Sequence, residues 1–371
     1  MRRIRKLLGY IKQARPYRSV PRQILDLAAH KIRINTSPGD YYRYEFFRNR
    51  LSWREKSRFV GQFGSAYWPY ELNLRKHLVI LTNKYVFKHL VAGFGLPSPS
   101  LVSTIGHHFE IKTRPQWEKL LNDCRRDIVL KPISSSSGRE VLVLERMDSG
   151  FSRLGRPVKP GELWDNLQHG MEEGFLVEER VRNHPLYEAL HPHSLNTIRV
   201  VTFRFRDEEW RVIDWGLKVG RDRLQVDNAG AGGIWVVFDR VSHITTGAYA
   251  EYLRRPLSRH PNTGLPLVGV KLPGIEEVFD LALTASRRFA LLGTIGWDIA
   301  LTDRGASLIE GNTLWGAESQ VIHGGLVTDE MACGLKRHRA FRRWDQEAMY
   351  PHMERDARRR LNRRKRERGH A

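Results

Sequence analysis

Two apolar stretches, residues 297–302 and 307–312, flank the turn Asp303-Arg304-Gly305 and constrain this chain more than any other feature. Their pattern predicts a β-hairpin, and centring it on Arg304 sets Asp298 opposite Glu310. Opposed residues of an antiparallel pair have Cβ atoms about 4.5–5.5 Å apart, so two carboxylates there repel each other. Asn312 lies two residues beyond Glu310 and projects from the same face. A divalent cation removes the objection, and an all-oxygen set of Asp298, Glu310 and Asn312 suits Mg²⁺ or Mn²⁺. An edge hairpin with solvated acids is the alternative.

Elsewhere strand and helix patterns alternate. With Thr82 as N-cap, Val86, Phe87, Leu90, Val91 and Phe94 recur at helical spacing, and Gly95 ends the segment before Pro97 and Pro99. A second helix is predicted over 274–292, where Ile275, Val278, Phe279, Ala282 and Phe289 line one side. Residues 128–130, 141–144 and 175–177 read as strands, and 197–203 with 210–217 as a hairpin around Asp207-Glu208-Glu209. Residues 1–75, rich in Arg, Tyr and Phe, read as irregular or helical. Hairpins dominate the mixture and there is no internal repeat, so the class is α+β.

Lys131 closes one strand and runs through Pro132 into Ser134-Ser135-Ser136-Ser137-Gly138. Such a loop is either a flexible hairpin turn or a flap whose N–H groups and hydroxyls wrap phosphate oxygens, with Lys131 as a fixed positive charge. It does not match a Walker A loop. His184, His191 and His193 invite a zinc reading, but no cysteine or acid joins them at ligand spacing, which favours loop histidines.

Length and charge set the remaining bounds. The 371 residues, 41% hydrophobic, allow two or three domains with sizeable cores. The net charge of +21 sits at the ends: residues 1–22 hold eight basic and no acidic residues, and 336–371 hold fourteen basic and five acidic. Two cysteines, Cys124 and Cys333, make no disulfide framework and no CxxC zinc pair. No run approaches the roughly 20 apolar residues of a membrane span, and no signal-peptide core follows Leu7-Leu8. The expected location is the cytoplasm. Ile4, Leu7, Leu8, Tyr10 and Ile11, interleaved with Arg and Lys, either rest on an anionic membrane, with Tyr10 at headgroup level, or pack on the body. The tail, with Arg358-Arg359-Arg360, is a solvated run or binds an anionic polymer or lipid. Aromatics are absent after Tyr350, which disfavours stacking on nucleic acid.

In their order these segments resemble the ATP-grasp superfamily from Thr82 to about Gly325. The pieces are Asn83-Lys84-Tyr85 with Gly95-Leu96-Pro97-Ser98-Pro99; Val129-Leu130-Lys131-Pro132 with Ser137-Gly138; Phe175-Leu176-Val177-Glu178-Glu179-Arg180-Val181; Asn196-Thr197-Ile198-Arg199-Val200; Asp227-Asn228 with Gly232-Gly233; and Gly296-Trp297-Asp298 with Ile309-Glu310-Gly311-Asn312. Asn196 to Arg199, Val226-Asp227-Asn228, His260-Pro261-Asn262-Thr263-Gly264 and Glu310-Gly311-Asn312 are most similar to the sugar-transfer-associated group.

The resemblance implies two α+β lobes holding ATP between them: a basic helical extension over 1–80, a small lobe over 81–181, a large lobe with the metal site over 182–330, and a basic tail over 331–371. It implies an ADP-forming carboxylate–amine ligase that passes through an acyl phosphate and is linked with bacterial surface polysaccharide. The substrates would be a small-molecule or saccharide carboxylate and an amine. In that reading Lys84 and Lys131 neutralise the phosphate chain, and Ser135, Ser136, Ser137 and Gly138 close over it. Glu178, Glu179 and Val181 hold adenine. Arg199 and Asn228 face the γ-phosphate, Lys218, Arg221 and Arg223 either hold the carboxylate substrate or the phosphate or are solvated strand-end charges, and Asp298, Glu310 and Asn312 hold Mg²⁺ or Mn²⁺. Two departures stand out. Residues 1–75 do not read as the small α/β domain that usually precedes the grasp, and the hinge runs into Asn183-His184-Pro185 with no obvious acid there for the ribose hydroxyls, Glu188 being the candidate. The other readings are a kinase of the same fold acting on a hydroxyl, and a non-catalytic basic protein that binds nucleic acid or another anionic polymer.

Overall fold

The computed structural model describes residues 2–48, 51–61, 72–134, 140–205, 208–222, 224–228, 232–250, 255–317 and 319–331. Of the expected features, the serine flap at 135–138, Arg223 and the tail from 332 lie outside these residues.

The N-terminal region is helical: α1 (Arg2–Ala14), α2 (Val20–Ile34), α3 (Pro38–Arg43) and α4 (Trp53–Ser57). Ser37 caps α3 by accepting from the Asp40 N–H at 3.1 Å, and Ser52 with Glu55 forms a capping box on α4. The aromatic run after α3 is a core of its own, in which Tyr41, Tyr42, Tyr44, Phe46 and Phe47 are buried. Tyr10 stacks on Tyr42 at 5.6 Å and Ile11 packs on the same cluster, so α1 docks on the body and does not offer Tyr10 to a headgroup layer. The Tyr44 hydroxyl donates to the Val60 carbonyl at 2.7 Å, and the Gln320 side chain holds both the Val60 N–H and the Leu326 N–H, tying this region to the far end of the chain.

Next come α5 (Val79–Thr82) and α6 (Lys84–Gly93). Thr82, expected to cap the helix, ends α5 instead. The cap is Asn83, whose side-chain oxygen reaches the Val86 N–H at 3.0 Å. The apolar side of α6, Phe87 and Val91, packs with Phe289 and Trp297. Residues 81–96, expected with the small lobe, therefore build the core of the large one.

The small lobe is an antiparallel sheet of β1 (Leu101–Ile105), β2 (Ile128–Pro132), β3 (Leu142–Arg146), β4 (Phe151–Arg153), β5 (Arg156–Pro157) and β6 (Phe175–Glu179), in the order β1-β6-β2-β3-β4-β5. Its core joins Ile128, Leu130, Leu144 and Val177 to Trp117 and Leu121 of α7 (Arg114–Asp123) and Leu163 and Trp164 of α8 (Pro160–Leu167). The large lobe is an antiparallel sheet of β7 (Thr197–Arg204), β8 (Trp210–Val219), β9 (Ile234–Phe238), β10 (Thr245–Ala250), β11 (Arg255–Leu257), β12 (Thr294–Thr302) and β13 (Gly305–Asn312), in the order β11-β10-β9-β8-β7-β12-β13. The short α9 (Pro185–Glu188) follows the strand that leaves the small lobe, α10 (Ile275–Arg288) packs Val278, Ala282 and Ala285 on the large sheet, and α11 (Gln320–His323) lies near the end of the described chain.

The β12–β13 hairpin reaches its expected pairing by two offsets. Its loop has two residues, so Thr302 pairs with Gly305 and Ile299 with Leu308, a register that would place Asp298 opposite Ile309. A bulge at Ile309 shifts the ladder by one, and Asp298 then meets Glu310 and Gly296 meets Asn312. Gly296 is closed to any side chain: a Cβ there would lie 2.4 Å from that of fully buried Trp315. Gly296→Ala is expected to destabilise the protein by about 1–3 kcal/mol, read as a lower midpoint in scanning calorimetry.

Candidate active site

A cleft of about 850 Å³ runs between the two sheets. Lys131, Glu178, Glu179 and Val181 line it from the small lobe, and Arg199, Lys218, Asn228, Asp298, Glu310 and Asn312 from the large one. Lys84 and Lys88 enter from α6. These residues thus border one space, which Arg221, also considered for an anionic substrate, does not line.

At its centre is a buried ion cluster on the face of the large sheet. Strand alternation puts Glu310, Asp298, Arg199 and Lys218 on one side of four adjacent strands. Arg199 grips Asp298 with two hydrogen bonds, Nε to Oδ1 at 2.7 Å and Nη2 to Oδ2 at 3.0 Å. Lys218 Nζ lies 3.1 Å from the same Oδ1, and Asn312 Nδ2 donates to Oδ2 at 3.1 Å. Burial alone would raise the Asp298 carboxyl, but Arg199 and Lys218 hold it at about 2. Its four lone-pair directions are all used. Asp298, expected to face a cation directly, is therefore committed to two basic side chains. Asp227 is also buried, 3.4 Å from Lys218, and accepts the Thr197 N–H at 2.9 Å. Burial pushes its carboxyl above the ordinary value, and nearby Asp298 adds to that push.

A second cluster faces the cleft from the small lobe. Glu178 is buried on β6 between Lys88 Nζ at 2.9 Å and Lys131 Nζ at 2.6 Å. Burial works to raise its carboxyl, and Lys131 and Lys88 outweigh that and lower it. Of the residues expected to hold adenine, Glu178 balances two lysines and Glu179 pairs with Arg126 at 2.7 Å. Sequence reading missed Lys88. It sits one turn beyond Lys84 on the same helix face, and that i, i+4 spacing was the available signal. Lys84 itself lies 3.4 Å from Glu310.

Between the lobes, Asn183 fixes the crossing strand. Its amide donates to the Asn196 carbonyl at 2.8 Å and accepts the Asn196 N–H at 2.7 Å. Glu188, considered for ribose, borders the cleft and lies 3.4 Å from Arg182. Arg43, from the end of α3, also lines the cleft, as do Trp235 and Tyr249, which pair across β9 and β10. Trp235 lies against Gly216, where a Cβ would be 2.5 Å from the ring. Of the histidines, His184 caps α9 and His191 holds Ser194 at 2.8 Å, both structural roles. Arg221 pairs with its neighbour Asp222 at 3.3 Å.

For a divalent cation the fit rests on Glu310, whose side chain reaches the cleft, and on Asn312 beside it. One carboxylate and one amide oxygen match Mg²⁺, which fills its shell with water and substrate phosphates.

The Glu178 triad generates a prediction. Glu178→Gln leaves two lysines in a buried site without their counter-charge and should cost about 3–5 kcal/mol in urea unfolding, with part recovered by adding Lys88→Met. Because the Glu178 and Asp298 carboxyls are depressed, their stabilisation is complete above the ordinary carboxylate range and fades as pH falls through it. Acid unfolding of the wild type should accordingly be steeper than that of the double variant.

The chain resembles the D-alanine–D-alanine ligase of Bacillus anthracis (13% identity, 73% of this chain and 71% of that one, TM-score 0.39) and a biotin carboxylase of Campylobacter jejuni (12%, 71% and 47%, 0.42). It also resembles an N5-carboxyaminoimidazole ribonucleotide synthetase in complex with ADP (12%, 65% and 47%, 0.40), and so spans about half that protein's length. At these identities and TM-scores the likeness carries no conclusion about this chain's activity. No curated protein matches the sequence. Residues 65–332 match the profile of a family described as sugar-transfer associated ATP-grasp. The match covers well over half of the 371 residues, and the chain belongs to that family.

Proposed function

We propose that this protein is an ADP-forming ligase that activates a carboxylate with ATP and joins it to an amine. The observation that carries the reading is the pair of charge clusters facing each other across one cleft: Lys88 and Lys131 on Glu178, and Arg199 and Lys218 on Asp298. A triphosphate between them meets positive charge that buried carboxylates hold in place, which is what phosphoryl transfer requires of a protein.

In this proposal Lys88, Lys131 and Lys84 neutralise the phosphate chain. Glu310 and Asn312 would hold Mg²⁺, which offsets charge on the phosphates. Asp298 acts as the anvil for Arg199, fixing its guanidinium where charge grows on the transferring phosphoryl group. A substrate carboxylate oxygen attacks the γ-phosphorus, the bond to ADP breaks, and an acyl phosphate forms. The amine then attacks the acyl carbon, phosphate leaves, and the nitrogen gives up a proton. Lys218 orients the carboxylate, and Asn228 stands beside it. The family description and the Trp235–Tyr249 wall, on which the apolar side of a sugar ring would lie, support a saccharide-bearing substrate.

Two measurements test the proposal. Saturating Mg·ATP, at about 100 times its dissociation constant, should stabilise the wild type by about 2.7 kcal/mol and raise its melting temperature by several degrees, with the Mg²⁺-dependent part lost in Glu310→Gln. In a screen of carboxylate–amine pairs, phosphate release should need both substrates, and Arg199→Met should lower kcat by about a hundredfold or more. A stable phosphorylated product formed without any amine would make the protein a kinase instead. No Mg·ATP effect in either protein would overturn the nucleotide-binding reading.

A further inference from the structure

Helix α2 is turned inside out. Its buried residues are Gln23 and His30, with Asp26 on the same side. Gln23 accepts the Tyr42 hydroxyl at 2.9 Å, Asp26 accepts the Tyr41 hydroxyl at 3.1 Å and pairs with Arg18, and His30 lies among the rings of Tyr41, Phe46 and Trp53. At 100° per residue the opposite side collects Pro21, Ile24, Leu25, Ala28 and Ile32. These face solvent: Ile24 is 61% exposed, Leu25 69% and Ile32 84%. Leu8 on α1 and Tyr17 in the following turn are more than half exposed as well. A water-facing helix normally carries the reverse pattern. An apolar patch of this kind, rimmed by polar residues, marks an interaction surface.

Charge identifies the occupant. Residues 1–35 carry ten Lys and Arg and one acid, Asp26, which is turned inward and neutralised by Arg18. Arg22 and Lys31 border the apolar ridge, and Lys12 on α1 and Arg15 just past its end are exposed. We propose that this face docks on an anionic lipid surface, with Ile24, Leu25 and Ile32 entering the headgroup layer and the basic rim meeting lipid phosphates. A second copy would bring one basic rim against another. Nucleic acid would match the rim but gains nothing from an aliphatic ridge. The chain's own segment 336–371 is itself strongly basic. Among the described residues no helix is long and apolar enough to cross a membrane, so the attachment is peripheral.

Vesicle flotation of the full chain tests this, with phosphatidylcholine alone and with phosphatidylcholine mixed with phosphatidylglycerol. Wild-type protein should float with the mixed vesicles, and raised salt should weaken binding without abolishing it. Ile24→Asp/Ile32→Asp should cut partitioning by about tenfold or more, with melting temperature unchanged because both positions face solvent. Should that pair unfold the helix, Leu25→Gln supplies the same reading with a milder change. Failure of the wild type to float overturns the proposal. So does flotation that the aspartates leave unchanged, which would assign it to other basic segments. A wild-type dimer by light scattering that the aspartates convert to monomer, without vesicle binding, would make the face a self-interface.

Discussion

The site depends on one carboxylate that cannot leave its partners. Asp298 is buried on the central hairpin and stays ionised because Arg199 grips it at both oxygens and Lys218 adds a third contact. Removing any one partner would strand charge in a poorly solvated place, where pairing is what makes ionisation tolerable. The cluster spans β12, β7 and β8, so the alignment of those strands and the placement of the basic groups are one problem. Gly216 and Gly296 clear the space on either side, letting the Trp235 ring and the Trp315 side chain approach.

Much of this was legible in the sequence, because strand alternation and paired acids leave a clear pattern. The α+β class, the hairpins and the order of the motifs needed only local periodicity. The Asp298–Glu310 pairing was anticipated, yet through a loop one residue too long and without the bulge at Ile309, two differences that offset each other. Local chemistry also misled. Thr82 and Asn83 both have side chains able to cap, and which one does so depends on the break between α5 and α6 that no periodicity marks. Lys84 stood out beside Asn83, but Lys88 is the one drawn against Glu178, because it projects inward past Pro99. That choice is made by tertiary packing.

The N-terminal region was least legible. Its aromatic run has neither strand nor helix period, because it forms a small core of rings packed edge to face around short helices. Gln23 and Asp26 on the inner side of α2 accept tyrosine hydroxyls contributed from elsewhere, a long-range pairing that leaves no local trace. The same region delivers Arg43 to the cleft, so it forms part of the site's wall.

The assignment of α6 to the large lobe has a mechanical consequence. Lys88 rides on a helix anchored by Phe87 and Val91 to the large core, whereas Glu178 and Lys131 belong to the small sheet. The Lys88–Glu178 contact is therefore a bridge whose two abutments stand on different bodies. Any hinge motion between the cores changes its span, while Lys131 and Glu178 travel together on neighbouring strands. The bridge thus works as a gauge of how far the jaws stand apart, and the aperture of the cleft is coupled to how well one buried carboxylate is neutralised.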